Sequence, residues 1–345
     1  MEPSFTSAAP GASIADPRIF LWKDPQYKEV LSQNIANYDL LIGSFSRSDF
    51  VSFTGAGVSK ALGIKDWEEL LSELLSAASA LGFAESKPVD KGRYPEYAER
   101  LFRYLDGKGR KALYFDTIIR HMDLHISSTS PTLIYLSLCV DTHLTTNFDR
   151  SLEHAYSFVK YLAEYLDARG MSRHPQLCYL DNLVANSRNP AILYLHGSIN
   201  QQVYILKESD YERYYPSVSF REGDSIRGLE DCLKYYYSGK SILFIGFSFE
   251  DPYLQKYFFN LAKEMNREAE SIQKHFSEAG KTIADKYIRH FLLIDENNSF
   301  VRNYRNKIFS ELQEYNIYPI IYKTGEHIFL EHLFKMLANK SRGVS

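Results

Sequence analysis

Short apolar runs recur along this chain. VSFTG, AILYLHG, SILFIGF, HFLLID and IYPIIY are separated by longer stretches with helical periodicity. The runs are apolar at odd and even positions alike, so a strand built from one must be covered on both faces. Strands of that kind belong to parallel sheets sandwiched between helices. HLTTN and QLCYL read as two weaker strands of the same sheet. With 45% hydrophobic and 24% charged residues among 345, the chain can supply the core of one large domain or two smaller ones.

The helical stretches complete the pattern. One helix is expected over 25–44. A second follows Asp66, whose carboxylate reads as an N-cap with Glu69 three residues on. YPEYAERLFRYL, ALYFDTIIRHM and SPTLIYLSLCV make the middle of the chain helical, the last with Pro131 near its start. FDRSLEHAYSFV, EDPYLQKYFFNLAKEM, SFVRNYRNKIFSELQEY and HIFLEHLFKML each read as one helix. The fold class is therefore α/β: a Rossmann-like parallel sheet with helices on both faces. Residues 80–140 and 200–240 break the alternation and read as a helical subdomain and a small lid.

Several functional classes are disfavoured. A formal net charge of -3 gives no global field for nucleic acid, so no direct nucleic-acid binding is expected. Cys139, Cys178 and Cys232 are far apart and form no CxxC pair, which argues against a disulfide framework and a four-cysteine zinc site. His121 and His125 stand one helical turn apart, but no third ligand stands nearby in sequence, and no metal is expected. MEPSFTSAAPGASIADP lacks a basic start and an apolar stretch. It reads as a flexible lead-in over 1–18 rather than a signal peptide. No apolar run approaches the ~20 residues a bilayer needs. A cytoplasmic protein without a membrane partner is expected.

In an open parallel sheet, ligands bind at the carboxyl ends of the strands. Here those ends carry Gly55, Ala56, Gly57 and Ser59; Thr146, Asn147 and Asp149; His196; Gly246 and Ser248; and Asp295. A glycine turn leading from a strand into a helix can bring backbone N–H groups to a phosphate, or can simply make the corner. Asp66 reads equally as a helix cap and as a ligand contact. Trp67 reads as the first core residue of its helix, and Asn147 and Asp149 as caps of the helix after them, though an Asn at a strand end facing a cleft can equally hold ligand hydroxyls or a water. A lone histidine such as His196 is more often structural than catalytic. SDYERYYP and LKYYYSGK could stack a base, but read better as a partly buried lid or interface. The convergence of five strand ends outweighs any one motif. The dinucleotide fingerprint GxGxxG is incomplete, since Lys60 occupies its third glycine position and the next glycine is Gly63.

Taken in order, these motifs resemble the sirtuin superfamily over about residues 50–300. Gly55-Ala56-Gly57-Val58-Ser59, Gly63-Ile64 and Asp66-Trp67 are similar to that family's GAGxS…GIPDF segment. Thr146-Asn147-Phe148-Asp149 resembles TQNID, His196-Gly197 the catalytic HG, and Gly246-Phe247-Ser248 the GTS strand end. Asp295-Glu296-Asn297 stands where the adenosine-ribose strand ends. The departures matter. Leu62, Lys65 and Glu68 replace the Ser, Pro and Arg of a deacylase loop, and the interval 197–246 holds one cysteine, Cys232, instead of a zinc ribbon. VYILKESDYERYY, TTNFD and GFSFEDPYL are similar to sirtuin-like proteins of bacterial antiphage defence, which hydrolyse NAD.

The resemblance implies a catalytic domain over 19–338, with a tail over 339–345, that cleaves NAD to nicotinamide and ADP-ribose and so depletes it as a defence effector. NAD is then the substrate, and no metal is required. The resemblance implies catalytic roles for Asn147, on the ribose hydroxyls or the water, and for His196 as a general base near its ordinary pKa of ~6.5. Gly55, Ala56, Gly57 and Ser59 would hold the pyrophosphate. Asp66 and Trp67 would line the nicotinamide side, Asp149 would orient either catalytic partner, and Thr146 and Gly246 would be among the residues that bind NAD. Ser248 and Asp295 would take the adenosine half. An unrestrained NAD hydrolase is toxic, and the one catalytic domain fills the chain. Gating is therefore expected through a homo-oligomer or a separately encoded regulator, such as the HerA-type DNA-translocating ATPases of related systems. Two alternatives stay open: a zinc-ribbon-free NAD-dependent deacylase, and a non-catalytic NAD or ADP-ribose-sensing subunit. An ordinary dehydrogenase ranks last.

Overall fold

A computed structural model of the protein describes residues 16–341, apart from 25–28, 47–48, 61, 87, 89, 123–129, 166–173, 184–189, 219–227, 276–287, 305–306 and 326–327. The strands are β1 (Phe50–Thr54), β2 (Thr142–Thr145), β3 (Gln176–Cys178), β4 (Ala191–Tyr194), β5 (Gly197–Ser198), β6 (Val203–Tyr204), β7 (Ser241–Ile245), β8 (His290–Asp295) and β9 (Ile317–Tyr322). Seven of them form one sheet in the order β3-β4-β2-β1-β7-β8-β9, each neighbouring pair parallel. β5 and β6 pair separately as a short antiparallel ribbon.

The two-sided apolar pattern does what it implies. In β7, Ile242 and Phe244 face one core while Leu243 and Ile245 face the other. β4 and β8 divide their side chains in the same way. Burying each such side chain contributes roughly 1.5–3 kcal/mol, so central strands with no wet face gain the most. Two polar exceptions on adjacent strands are paired. Ser52 Oγ lies 2.6 Å from His143 Nδ1, and His143 Nε2 lies 2.8 Å from the Tyr156 hydroxyl, all buried.

One face is covered by α1 (Glu29–Ser44), α6 (Pro131–Cys139), α7 (Ser151–Tyr165) and the C-terminal helix Ile328–Ser341. The other is covered by α9 (Gly228–Gly239) and α10 (Pro252–His275). A third core joins α3 (Trp67–Ser79), α4 (Tyr94–Gly107) and α5 (Lys111–Met122) to Phe148, Tyr204 and Leu206. The helical subdomain thus starts at 67 rather than 80 and ends with α5. α6 leaves it because Leu133, Leu136 and Cys139 pack on the sheet beside Phe334 and Leu337. The segment 200–240 also divides: α8 (Glu208–Tyr214) packs against α4, whereas α9 belongs to the sheet. SFVRNYRNKIFSELQEY gives two short helices, Ser299–Tyr304 and Ile308–Gln313, rather than one. The N-cap at Asp66 forms as expected, as a full capping box with Glu69.

After β1 the chain turns toward β2, and after β7 toward β8 on the opposite side. The carboxyl ends of β1 and β7 are therefore the switch point of the sheet, where a crevice opens between diverging connections. Among the described residues no helix is long and apolar enough to cross a membrane.

Candidate active site

A cavity of about 580 Å³ lies over that switch point, within the usual range of small-molecule sites. All thirteen residues singled out from the sequence border it: Gly55, Ala56, Gly57, Ser59, Asp66, Trp67, Thr146, Asn147, Asp149, His196, Gly246, Ser248 and Asp295. They come from five strand ends of the main sheet, those of β1, β2, β4, β7 and β8, and from the start of α3, so the fold alone brings them together.

The floor is made of two glycine turns in backbone contact. Gly55 N–H donates to Ile245 O and Gly57 N–H to Gly246 O, both at 3.0 Å. A Cβ on Gly55 would meet Gly246 O at 2.6 Å, and one on Gly246, with φ +61, would meet Val58 N at 2.5 Å. These glycines are required by the meeting of the turns, whatever ligand lies above them. After the first turn α2 (Ala56–Lys60) begins at once. Gly197 likewise serves the β5–β6 ribbon: with φ +86, its Cβ would fall 2.0 Å from Val203 O. The glycine after His196 is thus fixed by the hairpin rather than by the approach of a ligand.

Asn147 sits where β2 opens into its loop. Its Nδ2 donates to Gly55 O and to Ser59 Oγ, each at 3.0 Å. Both amide hydrogens are consumed, which leaves Oδ1 as the acceptor available to a ligand. Ser59 Oγ also lies 3.2 Å from Ser151 Oγ. Below them, buried Asp149 accepts the Ser151 N–H at 2.8 Å. Burial pushes the Asp149 carboxyl above its ordinary value, against hydrogen bonds from Ser151 and Ser59.

His196 is 4% exposed, and its Nε2 lies 2.8 Å from the Tyr215 hydroxyl. Burial pushes its pKa down to about 3. Burial thus opposes a base near 6.5 in the free protein, since among the described residues no carboxylate offsets the loss of solvent. Tyr211 and Tyr215 stand edge-on to the imidazole. Tyr211 stacks on Tyr253 at 4.5 Å and donates to Asp251 Oδ2 at 2.6 Å.

The rim carries paired charges. Lys60 Nζ contacts Asp66 Oδ2 at 2.7 Å, Lys91 Nζ contacts Glu250 Oε2 at 2.9 Å, and Lys65 pairs with Glu73. Partial burial disfavours the Asp66 carboxylate, but hydrogen bonds from Lys60 and the Glu69 N–H outweigh it and hold its pKa below the ordinary value. Trp67 stands edge-on to Tyr94, and its buried Nε1 has no hydrogen-bond partner among the described residues. At the far end, Asp295 Oδ1 accepts from Thr324 Oγ1 at 2.6 Å and from Asn297 N at 2.8 Å.

Lys91, Tyr94, Tyr211, Glu250 and Asp251 also border the cavity and were not picked out from the sequence. The tyrosine-rich SDYERYYP was a usable signal for Tyr211. Lys91 and Tyr94 arrive from the helical subdomain, and nothing local marks them. His121 lies 2.9 Å from Glu73 without hydrogen-bond geometry, and His125 falls outside the described residues. Among the described residues no three His, Cys, Asp or Glu side chains cluster as a metal site.

An open parallel sheet with a polar cavity at its switch point, floored by glycine turns, places the protein in the Rossmann-like α/β class. The SIR2-like domain model matches residues 141–320, just over half of the chain, and the chain belongs to that family. It is 26% identical over 208 residues to the NAD(+) hydrolase ThsA of Enterococcus faecium, covering 59% of this chain and 38% of that protein. The ThsA NAD(+) hydrolase of Cytobacillus dafuensis is 28% identical over 205 residues, 59% of this chain and 36% of its own length. That of Bacillus cereus (strain MSX-D12) is 26% identical over 210 residues, with 59% and 37% covered. The chain thus matches well under half the length of these relatives.

Proposed function

We propose that this protein hydrolyses NAD at the bond between nicotinamide and ribose. One observation carries the reading: Asn147 and His196, from two different strand ends, border one cavity with the glycine turns at the switch point. Membership of the SIR2-like family and similarity to proteins named NAD(+) hydrolases support it.

In this reaction the C1′–N bond breaks and its electron pair leaves with nicotinamide, which departs neutral. The ribose becomes oxocarbenium-like, water adds to C1′, and one proton is released with ADP-ribose. Asn147 Oδ1, the free end of an amide fixed by Gly55 and Ser59, accepts from a ribose hydroxyl or the attacking water. His196 contacts the same ribose. The turn at 55–59 lies under the pyrophosphate, Asp66 and Trp67 lie beside nicotinamide, and Ser248 and Asp295 lie beside the adenosine half. The cationic ribose needs little help from a strong base, which suits a neutral imidazole. Depletion of NAD would serve antiphage defence, with activity gated by self-association or by a separately encoded regulator. The test is incubation of the purified protein with NAD and chromatography of the products. Nicotinamide and ADP-ribose in equal amounts are expected.

A second reading has its own support. The closed contact of His196 with Tyr215 suits a subunit that binds NAD or ADP-ribose without turnover. Tight binding with no nicotinamide release would favour it.

A further inference from the structure

The tyrosine-rich stretch after β6 does more than cover the sheet. Tyr215 follows α8, is fully buried, and does not border the cavity. Among the described residues its hydroxyl has one hydrogen-bond partner, His196 Nε2 at 2.8 Å. Its position is over-determined. Its N–H donates to Tyr211 O at 2.8 Å, and its ring stacks against Tyr211, which Asp251 and Tyr253 hold in turn. His196 is pinned as firmly: its carbonyl accepts the Ile205 N–H at 2.8 Å, and the backbone after it is locked by Gly197.

A tyrosine hydroxyl carries one hydrogen, and this one has a single acceptor within reach. If Nε2 carried a hydrogen, it would point at the oxygen and leave the buried hydroxyl hydrogen without an acceptor. If Nε2 carries none, the hydroxyl donates to it and the hydrogen of the fully buried hydroxyl is satisfied. The imidazole hydrogen then sits on Nδ1, which has no partner among the described residues, and His196 borders the cavity.

We propose that Tyr215 is a positioning residue that fixes His196 as its Nδ1–H tautomer, so that the ligand meets a hydrogen-bond donor rather than a base. The donor suits a ribose oxygen or a phosphate oxygen of a dinucleotide. This rests on the NAD reading for the ligand, but not for the tautomer. Burial that keeps the imidazole neutral agrees with it.

The experiment is nitrogen NMR of the ligand-free protein at pH 7, with 15N-labelled histidine and His196 identified by loss of its signals in His196→Asn. The expected result is a single Nδ1–H tautomer in wild type. In Tyr215→Phe the signals move to a mixture of tautomers, and kcat for NAD falls about tenfold or more with KM within about twofold. An Nε2–H tautomer in wild type overturns the proposal, and that result does not depend on Tyr215→Phe folding. Wild-type tautomer signals in Tyr215→Phe overturn it as well. If the wild-type protein releases no nicotinamide from NAD while its nitrogen spectrum shows the Nδ1–H tautomer, the NAD reading fails instead, and the spectrum separates the two failures.

Discussion

Gly57 and Gly246 meet backbone to backbone: the Gly57 N–H donates to the Gly246 carbonyl at 3.0 Å, and a Cβ on Gly57 would lie 2.8 Å from Gly246 Cα. The turns after β1 and β7 are thereby welded at the floor of the cavity. Gly246→Ala should cost about 1–3 kcal/mol, since neither turn can move aside without breaking the ladder above it. Gly43→Ala, in an exposed helical position with open space, should be neutral or stabilising by up to about 1 kcal/mol. Thermal unfolding of the two variants checks the contrast. Equal melting temperatures would contradict it.

Asn147 holds the first turn from the side. Asn147→Ala should abolish NAD turnover while leaving the melting temperature within a few degrees of wild type. Asn147→Asp should be no better, because a carboxylate cannot donate to Gly55 O and would face it with a negative charge. Activity retained in Asn147→Asp would show that only the acceptor end of the side chain matters.

Asp66 separates a structural role from a contact with substrate. It caps α3 and pairs with Lys60. Asp66→Ala should cost about 1 kcal/mol through the lost cap, whereas Asp66→Asn should restore most of that stability. The part-exposed ion pair itself adds little. If Asp66 also touches nicotinamide through its charge, both variants should raise KM. Denaturant melts and kinetics on the same preparations distinguish these effects.

Acid should weaken the fold through its buried histidines. His290 Nδ1 accepts the Ile242 N–H at 3.1 Å, its ring stacks on Tyr237, and burial pushes its pKa down to about 3. The unfolded chain therefore takes up a proton near pH 6.5 that the native chain refuses, and stability falls as pH drops from 7 toward 3. For His290 this amounts to about 2 kcal/mol between pH 7 and pH 5. The raised carboxyls of Asp149 and Asp251 act in the opposite direction. The comparison that isolates the imidazole is thus the slope of stability against pH in wild type and His290→Phe. A shallower slope over pH 5–7 is expected in the variant, and identical slopes would contradict it.

The two-faced apolar runs made the parallel sheet legible, because burial on both sides admits few other arrangements. The polar strand ends then named the cavity, since the carboxyl edge of such a sheet is one place. The physical reasons for individual residues were less visible. Gly55, Gly57 and Gly197 look like ligand glycines in sequence, but the steric demand on each comes from backbone across a turn. His196 looked like a titrating base because its neighbours in sequence say nothing of Tyr211 and Tyr215 above it. Lys91 and Tyr94 reach the rim only through the packing of the helical subdomain, and α6 leaves that subdomain for the sheet because of partners nearly 200 residues away.

The central claim is that the cavity destroys NAD. Purified protein, alone at rising concentration and together with the products of adjacent genes, should be incubated with NAD beside His196→Ala. The account predicts nicotinamide and ADP-ribose in equal amounts from the wild type and intact NAD with His196→Ala. NAD recovered intact from every wild-type mixture, or consumed equally by His196→Ala, would contradict it.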